Sequence, residues 1–379
     1  MDWLRSWLPS SCIVPGPSAR GIRTTNSQTE VSTTASLFEA FSLKALHVKN
    51  RIMMSPMCQY SVWAQDGAPN DWHYVHYVSR AVGGTGLIMI EMTDVVPDGR
   101  ITVYDLGIWD DAHIPAFRRV IDQVHAYHAC VGIQLAHAGR KAESLELRPE
   151  APSAIAFSDK YRVPHELTRD EVRRIVDAFA EGARRAVAAG VDTLELHGAH
   201  GYLIHQFMSP LSNHRQDEYG EPTRFGVEII EAVKSEMPSS MPLIMRLSAT
   251  EYTDGGYHFE QLIEMARVYR DHGVDMFDVS SGGNAVVAIH EYPGYQAPYA
   301  ASLKRVLNVP VIAVGRLESY DLASSFVERA DVDLIAIARG LLKDPYWANS
   351  AALHFEGRVQ VPKQYYRAFA RRFTVGDAS

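Results

Sequence analysis

The chain has few cysteines and no long apolar run, and both absences limit what it can be. Only three cysteines occur in 379 residues, Cys12, Cys58 and Cys130, and their spacing is wide. An odd, scattered set supports neither a disulfide framework nor a thiolate-rich iron–sulfur or zinc cluster. No apolar stretch approaches the roughly 18 residues expected of a membrane span. We therefore predict a soluble, cytoplasmic protein of a reducing compartment.

The sequence also lacks a strong excess of charge of one sign. The 37 Lys and Arg residues stand against 45 Asp and Glu residues, which gives a formal net charge of -8 at pH 7. No basic block is present to attract nucleic acid or an anionic membrane surface. A small molecule is the expected partner.

The N-terminal segment has no periodic apolar pattern and is rich in Ser, Thr and Pro. It contains no continuous apolar core like that of a signal peptide. We predict a disordered extension over residues 1–36, a single domain over 37–370 and a short tail over 371–379. Several arginines and few acids in the extension leave a transit peptide open as a second interpretation.

From Arg51 onward, short apolar runs alternate with amphipathic segments of helix length, as in repeated βα units. One such segment begins at Thr168, which forms a capping box with Glu171, and ends before Gly190. No Gly-x-Gly-x-x-Gly string follows the first strand, which argues against a doubly wound sheet. We therefore predict a (β/α)8 TIM barrel of the α/β class. The eight predicted strands are 51–57, 86–93, 131–137, 191–198, 242–248, 274–281, 309–315 and 332–340.

Polar residues end several of these strands, and in a TIM barrel the C-terminal strand ends form the active-site face. His197 ends the fourth strand and His200 follows it, and we interpret them as neutral hydrogen-bond donors to one oxygen atom. Tyr202, two residues further on, is placed to supply a proton. A metal site, or two structural histidines, are the alternatives for this pair.

Arginines end the later strands. Arg246 ends the fifth strand, where it either meets an anion or carbonyl oxygens, or forms an ion pair with Glu195 or Asp278. Arg316 and Arg339 each stand beside a glycine near the last two strands, the usual phosphate corner of this fold. Glycine beside arginine lets backbone N–H groups approach a phosphate while the guanidinium binds it.

Several strings resemble those of the Old Yellow Enzyme family of FMN-dependent ene-reductases. They include "SPMCQYS", "QLAHAGRKA", "HGAHGYLIHQFMSPLSNHRQDEYG", "MRLSATEY", "DVSSGG" and "ARGLLKDPYW". The resemblance covers about residues 37–370, and the cysteine of the first string is similar to the thermophilic-like subgroup. The string "NAVVAIHEYPGYQ" (284–296) is unusual for the family. The resemblance implies FMN as the cofactor and NADPH or NADH as the hydride donor.

The resemblance also implies which residues hold the cofactor. Cys58 would lie close to the reactive edge of the flavin and tune its potential, and Gln134 and Arg246 would hydrogen-bond its pyrimidine side. Met92 stands where the family commonly has a smaller residue. The full set implied to bind FMN is Ser55, Pro56, Met57, Cys58, Met92, Gln134, Arg246, Ser281, Gly282, Gly315, Arg316, Ala338 and Arg339.

The implied reaction is reduction of the activated C=C bond of an α,β-unsaturated carbonyl compound, an enone, by ping-pong hydride transfer through flavin N5. His197 and His200 would bind the carbonyl oxygen, Tyr60 would pack beside it, and Tyr202 would donate the proton. Arg367 would reach the neighbouring subunit's site, which implies a homodimer or dimer-based oligomer. A flavin-dependent redox-neutral isomerase or cyclase is the alternative, followed by a metal-dependent barrel hydrolase; no metal is otherwise expected.

Overall fold

Eight parallel strands form a closed barrel in the computed structural model, which describes residues 35–357 and 359–369. Each strand pairs with the next along the chain, and the last pairs back to the first, which confirms the predicted TIM barrel. The predicted tail, and the predicted extension apart from its last two residues, lie outside the described residues. The strands are β1 (Ile52–Met54), β2 (Leu87–Asp94), β3 (Cys130–Ala136), β4 (Thr193–Gly198), β5 (Leu243–Ser248), β6 (Met276–Ser280), β7 (Val311–Ala313) and β8 (Leu334–Ile337).

One helix follows each strand on the outside of the barrel. The longest begins where the sequence predicts, because Thr168 and Glu171 form a capping box, and it ends at Gly190 with a left-handed φ of 104°. No helix among the described residues is long and apolar enough to cross a membrane. The helices are α1 (Asp71–Val82), α2 (Ile114–His125), α3 (Arg169–Ala189), α4 (Arg224–Glu236), α5 (Phe259–Asp271), α6 (Ala297–Leu307), α7 (Tyr320–Glu328) and α8 (Trp347–Glu356).

Shorter helices and strands accompany the eight strands and eight helices of the barrel. Three short helices span Leu203–Met208, Arg339–Lys343 and Tyr366–Phe369. Leu106–Gly107 pairs with β2, and Glu150–Ala151 pairs with His165–Glu166. A hairpin of Phe41–Leu43 and Leu46–Val48 precedes the barrel.

The hairpin lies at the N-terminal end of the barrel. Its Ala45 N–H donates to Ser240 O over 2.9 Å just before β5, and Lys44 forms an ion pair with Asp275 just before β6. The apolar side chains of Leu46 and Val48 join a buried cluster inside the barrel. The C-terminal ends of the strands, which form the active-site face of a TIM barrel, therefore lie at the opposite end.

Along each strand, alternate side chains point into two different buried regions: the inside of the barrel, and the layer between the strands and the helices. In β5, Leu243, Met245 and Leu247 pack in the layer between strands and helices, while Ile244 joins the cluster inside the barrel. Arg246 lies on the same face as Ile244, two residues closer to the C-terminal end, because side chains in a strand alternate. Buried polar residues therefore replace apolar ones as the barrel interior approaches that end.

Candidate active site

A cavity of about 280 Å³ opens at the C-terminal ends of β5 to β8. Residues from four separate strand ends meet there, as expected for the functional face of this fold. Seven of the residues that line the cavity were singled out from the sequence: His200, Arg246, Ser281, Gly315, Arg316, Ala338 and Arg339.

Arg246 is buried beside this cavity with two carboxyl groups. Its Nε lies 3.2 Å from Asp278 Oδ2, and Gln134 Nε2 donates to Glu195 Oε1 over 2.8 Å. Burial, followed by the charge of Asp278, raises the pKa of Glu195 to about 8, and burial also raises the pKa of Asp278. Among the described residues, Arg246 Nε, Glu195 Oε2 and both Asp278 carboxylate oxygens have no hydrogen-bond partner. These buried polar atoms beside the cavity are therefore available to a ligand.

His197 at the end of β4 and His200 just after it adopt fixed orientations, with their rings 5.1 Å apart. His197 Nδ1 accepts the Ala199 N–H over 3.3 Å, so the neutral ring carries its proton on Nε2. His200 Nε2 lies 2.7 Å from Ser280 Oγ, which leaves Nδ1 for a ligand. Burial, followed by the charge of Arg246, lowers the pKa of both imidazoles well below the ordinary value. Both rings are therefore neutral at pH 7.

The backbone of His200 is held by Ser248 and Lys141, whose contacts with it were not predicted from the sequence. Its φ is +58°, an uncommon conformation for a residue other than glycine. Its N–H donates to Ser248 Oγ over 3.0 Å, and its carbonyl oxygen accepts from Lys141 Nζ over 3.0 Å. Burial, followed by the neighbouring Arg140, lowers the pKa of Lys141 to about 8. The string "HAGRKA" contains Lys141, but nothing in its spacing indicates the His200 contact.

A second group of predicted residues lies around Tyr202. Its ring contacts that of His197 with the centroids 4.7 Å apart, and Tyr202 and Cys58 pack against a small cluster that contains Met92. Burial, followed by the nearby Cys58, raises the pKa of Tyr202 well above the ordinary value. Burial, followed by Asp105 and Glu91, likewise raises the pKa of the Cys58 thiol. Both groups therefore hold their protons at pH 7.

Tyr60 stands at the outer edge of the Tyr202 group. Its side chain is exposed and its φ is +50°. Burial of its hydroxyl, followed by the nearby Cys58, raises its pKa. His197 contacts the rings of both Tyr202 and His200, and so connects this group to the cavity that His200 lines.

The residues after β6 have partners that the sequence did not reveal. Gln296 Nε2 donates to Ser281 Oγ over 2.7 Å, and the Tyr252 hydroxyl donates to the same oxygen over 2.9 Å. Gly282 and Gly315 have φ values of +69° and +111°, which glycine adopts at no steric cost. A ligand can therefore come close to the backbone at this end of the cavity, because the two glycines have no side chains.

Both arginines of the predicted phosphate corner contact Glu291. Arg339 Nη2 donates to Glu291 Oε2 over 2.9 Å, and Arg316 Nη1 donates to the Glu291 backbone carbonyl over 3.0 Å. Glu291 lies in the string that the sequence analysis found unusual. Its contact with residues after β7 and β8 has no signal in the sequence.

The remaining predicted residues divide between the site and the far end of the barrel. Ser55 N–H donates to Ile337 O over 3.1 Å, which fixes the end of β1 against β8, and Pro56 and Met57 follow it half-buried. Arg367 is exposed and is not brought to the cavity. Its neighbour Tyr366 lines a different cavity, beside the C-terminal ends of α1 and α2. Among the described residues, no group of three His, Cys, Asp or Glu could hold a metal ion.

The arrangement fits a ligand with a phosphate at one end and polar ring atoms at the other. Arg316 and Arg339 with the glycine backbone of Gly315 suit a phosphate, because guanidinium and backbone N–H groups are its usual partners. Arg246 supplies an unsatisfied buried donor for ring oxygen or nitrogen atoms. These are the groups that FMN requires.

Comparison with known proteins agrees with this geometry. The model of the NADH:flavin oxidoreductase / NADH oxidase family matches residues 36–357. An NADPH dehydrogenase from Listeria welshimeri is 45% identical over 337 residues, which cover 88% of this chain and 99% of the relative. The structure of the old yellow enzyme homologue from Zymomonas mobilis is 26% identical with a TM-score of 0.73, and the match covers 90% of this chain and 97% of that one.

A further structure, that of morphinone reductase, shares the fold. It is 24% identical with a TM-score of 0.75, and the match covers 85% of this chain and 90% of that one. The family match spans almost the whole described barrel and includes both groups of site residues. The chain therefore belongs to the NADH:flavin oxidoreductase / NADH oxidase family, that of Old Yellow Enzyme, and is an oxidoreductase that uses FMN with NAD(P)H as the hydride donor.

Proposed function

We propose that this oxidoreductase reduces the activated C=C bond of α,β-unsaturated carbonyl compounds. The observation that carries the proposal is the pair of neutral imidazoles, His197 and His200, beside the protonated hydroxyl of Tyr202. Two donors close to one acid suit a substrate whose oxygen gains negative charge while a neighbouring carbon gains a proton.

We assign the cofactor to the residues that line the cavity and the adjoining strand ends. When bound, FMN supplies the hydride chemistry, taking hydride from NAD(P)H and giving it to the β-carbon of the enone in a ping-pong sequence. The residues proposed to hold it are Ser55, Pro56, Met57, Cys58, Met92, Gln134, Arg246, Ser281, Gly282, Gly315, Arg316, Ala338 and Arg339.

The imidazoles are proposed to act on the substrate oxygen. The Nε2–H of His197 and the Nδ1 side of His200 would bind the carbonyl oxygen, with Tyr60 beside it. Charge on that oxygen grows in the transition state, so donors already in place lower the barrier rather than merely improving binding. Burial, followed by the charge of Arg246, lowers the pKa of both rings. The donors therefore act as neutral groups.

Tyr202 is proposed to donate a proton to the α-carbon. Its raised pKa means that it keeps this proton at neutral pH and releases it only to a strong base. The carbon next to a carbonyl is such a base once hydride has been added to the double bond. The packing of Tyr202 beside His197 supports proton delivery next to the bound oxygen.

We also propose a dimer in which Arg367 serves the site of the neighbouring subunit. Arg367 lies away from the cavity of its own chain, on the short helix Tyr366–Phe369. In the proposed dimer, a second copy places this guanidinium at a substrate.

The first prediction tests the overall reaction. The purified protein loaded with FMN should lose its yellow absorbance when NADPH is added without oxygen, and should regain it when 2-cyclohexenone follows. Bleaching without recovery would leave the flavin assignment intact and contradict enone reduction. Recovery with the buffer alone would show that residual oxygen, not the enone, is the acceptor.

The second prediction concerns the substrate oxygen. His200→Ala should slow reoxidation of the reduced enzyme by the enone about 10²–10³-fold, because a preorganised donor is lost. The rate is measured by stopped-flow absorbance, with the bound-flavin spectrum as the check on folding. His214→Ala is the matched control, since the one hydrogen-bond partner of this exposed imidazole in the described part of the chain is the Pro210 carbonyl. Undiminished reoxidation of the His200 variant would contradict the assigned role.

The third prediction is a pH profile of the same step. The rate of reoxidation should be level from about pH 6 to 7.5, since His197 and His200 stay neutral and Tyr202 stays protonated there. It should fall above about pH 8, because Lys141, whose pKa is lowered to about 8, then loses the charge that holds the His200 carbonyl. Lys141→Arg, which remains charged, should shift this fall to higher pH. A fall unchanged in that variant, or a break near pH 6.5, would contradict the assignment.

The fourth prediction concerns the second subunit. Sedimentation analysis should give a mass at least twice the 42.2 kDa of one chain. Arg367→Ala should leave this mass unchanged and raise KM for the enone roughly tenfold, through loss of a charged hydrogen-bond donor. A monomer at assay concentration would contradict the proposed dimer.

A further inference from the structure

The segment between β6 and α6 folds back over one end of the cavity. Ile289, Glu291 and Tyr295 from this segment all line the cavity. The Gly294 N–H donates to Gly315 O over 2.9 Å, which ties the segment to the end of β7. The segment therefore lies at the end of the cavity that holds the phosphate corner.

Part of this segment fills space that a ligand would need. A Cβ atom built on Gly282 would lie 2.7 Å from Ile289 Cδ1, so that side chain covers the Gly282 backbone. The cavity volume of about 280 Å³ is slightly below the range of about 300–1,000 Å³ typical of small-molecule sites. The segment therefore limits the space for a ligand at this end of the cavity.

Glu291 is the charged residue of the segment that meets the phosphate corner. Its carboxylate accepts from Arg339 Nη2 over 2.9 Å, with both side chains about half exposed. Carboxylates and phosphates compete for the same guanidinium donors. A carboxylate that stayed beside a bound phosphate would also repel it, because both are anions.

We propose that Glu291 is a specificity-determining residue of the cofactor site, competing with the phosphate of FMN for Arg339. The inference rests on the FMN site proposed above. In this proposal the phosphate of FMN displaces the Glu291 carboxylate from Arg339 Nη2, whereas riboflavin, which lacks the phosphate, leaves the ion pair intact. Glu291 therefore weakens FMN binding. It reduces the factor by which the apoprotein binds FMN more tightly than riboflavin.

The fifth prediction measures this preference directly. Apoprotein of the unaltered chain and of Glu291→Gln is titrated with FMN and with riboflavin, and Kd is read from flavin fluorescence. Glu291→Gln should lower Kd for FMN about three- to tenfold, since it removes both an exposed ion pair and a repulsion. Kd for riboflavin should change less than twofold. The FMN effect should shrink in about 1 M salt, where charges are screened within about 3 Å.

Glu264→Gln is the matched control for the loss of one negative charge. Glu264 also forms an exposed ion pair, with Arg267 over 3.3 Å on α5, and it does not line the cavity. This variant should leave both Kd values unchanged.

The outcomes separate the inference from the site on which it rests. Equal FMN affinity in the unaltered chain and in a folded Glu291→Gln variant would overturn the role of Glu291 alone. An equal gain for FMN and riboflavin would overturn it too, because the effect would then not depend on phosphate. Failure of the unaltered chain to bind either flavin would instead contradict the FMN site itself.

Discussion

The buried guanidinium of Arg246 is the charge on which the rest of the site depends. Removing such a group from water costs several kcal/mol unless a partner compensates, and Asp278 lies 3.2 Å away. Burial and the charge of Asp278 raise the pKa of Glu195 to about 8, and burial raises the pKa of Asp278 as well. Two carboxyl groups therefore share the neighbourhood of one guanidinium. Burial, followed by the charge of the same cation, lowers the pKa of His197 and His200, so Arg246 helps to keep the residues above it neutral.

Three residues at the same end of the barrel have a strained backbone. Tyr60, His200 and Arg316 all have positive φ values near 50–58°, a conformation that costs on the order of 1 kcal/mol or more outside glycine. The structure sustains this cost where tertiary contacts fix the residue, as the hydrogen bonds of Ser248 and Lys141 to the His200 backbone show. The imidazole is thus positioned by its main chain as well as by Ser280. Because the imidazole is already fixed, it loses little conformational freedom when it binds a substrate oxygen.

The sequence predicted the parts of the molecule that have a period. Strands repeat every two residues, so a polar residue that ends an apolar run, such as Arg246, is placed at the C-terminal mouth by counting alone. Loops have no such period. Gln296, which contacts Ser281, and Glu291, which contacts Arg339, come from a segment whose path depends on where it meets other loops. Lys141 was visible within a family string, but its role depends on a contact with His200, 59 positions away.

The protonated state of Cys58 has a chemical consequence of its own. An enone is an electrophile, and its usual target in proteins is a thiolate, which adds to the β-carbon and forms a stable thioether. A reactive thiolate at this position would be alkylated by the proposed substrates and the protein would be inactivated. Burial, with the nearby Asp105 and Glu91, raises the pKa of Cys58 and suppresses the thiolate. The environment that keeps this side chain neutral therefore also gives the protein chemical resistance to its own reactants.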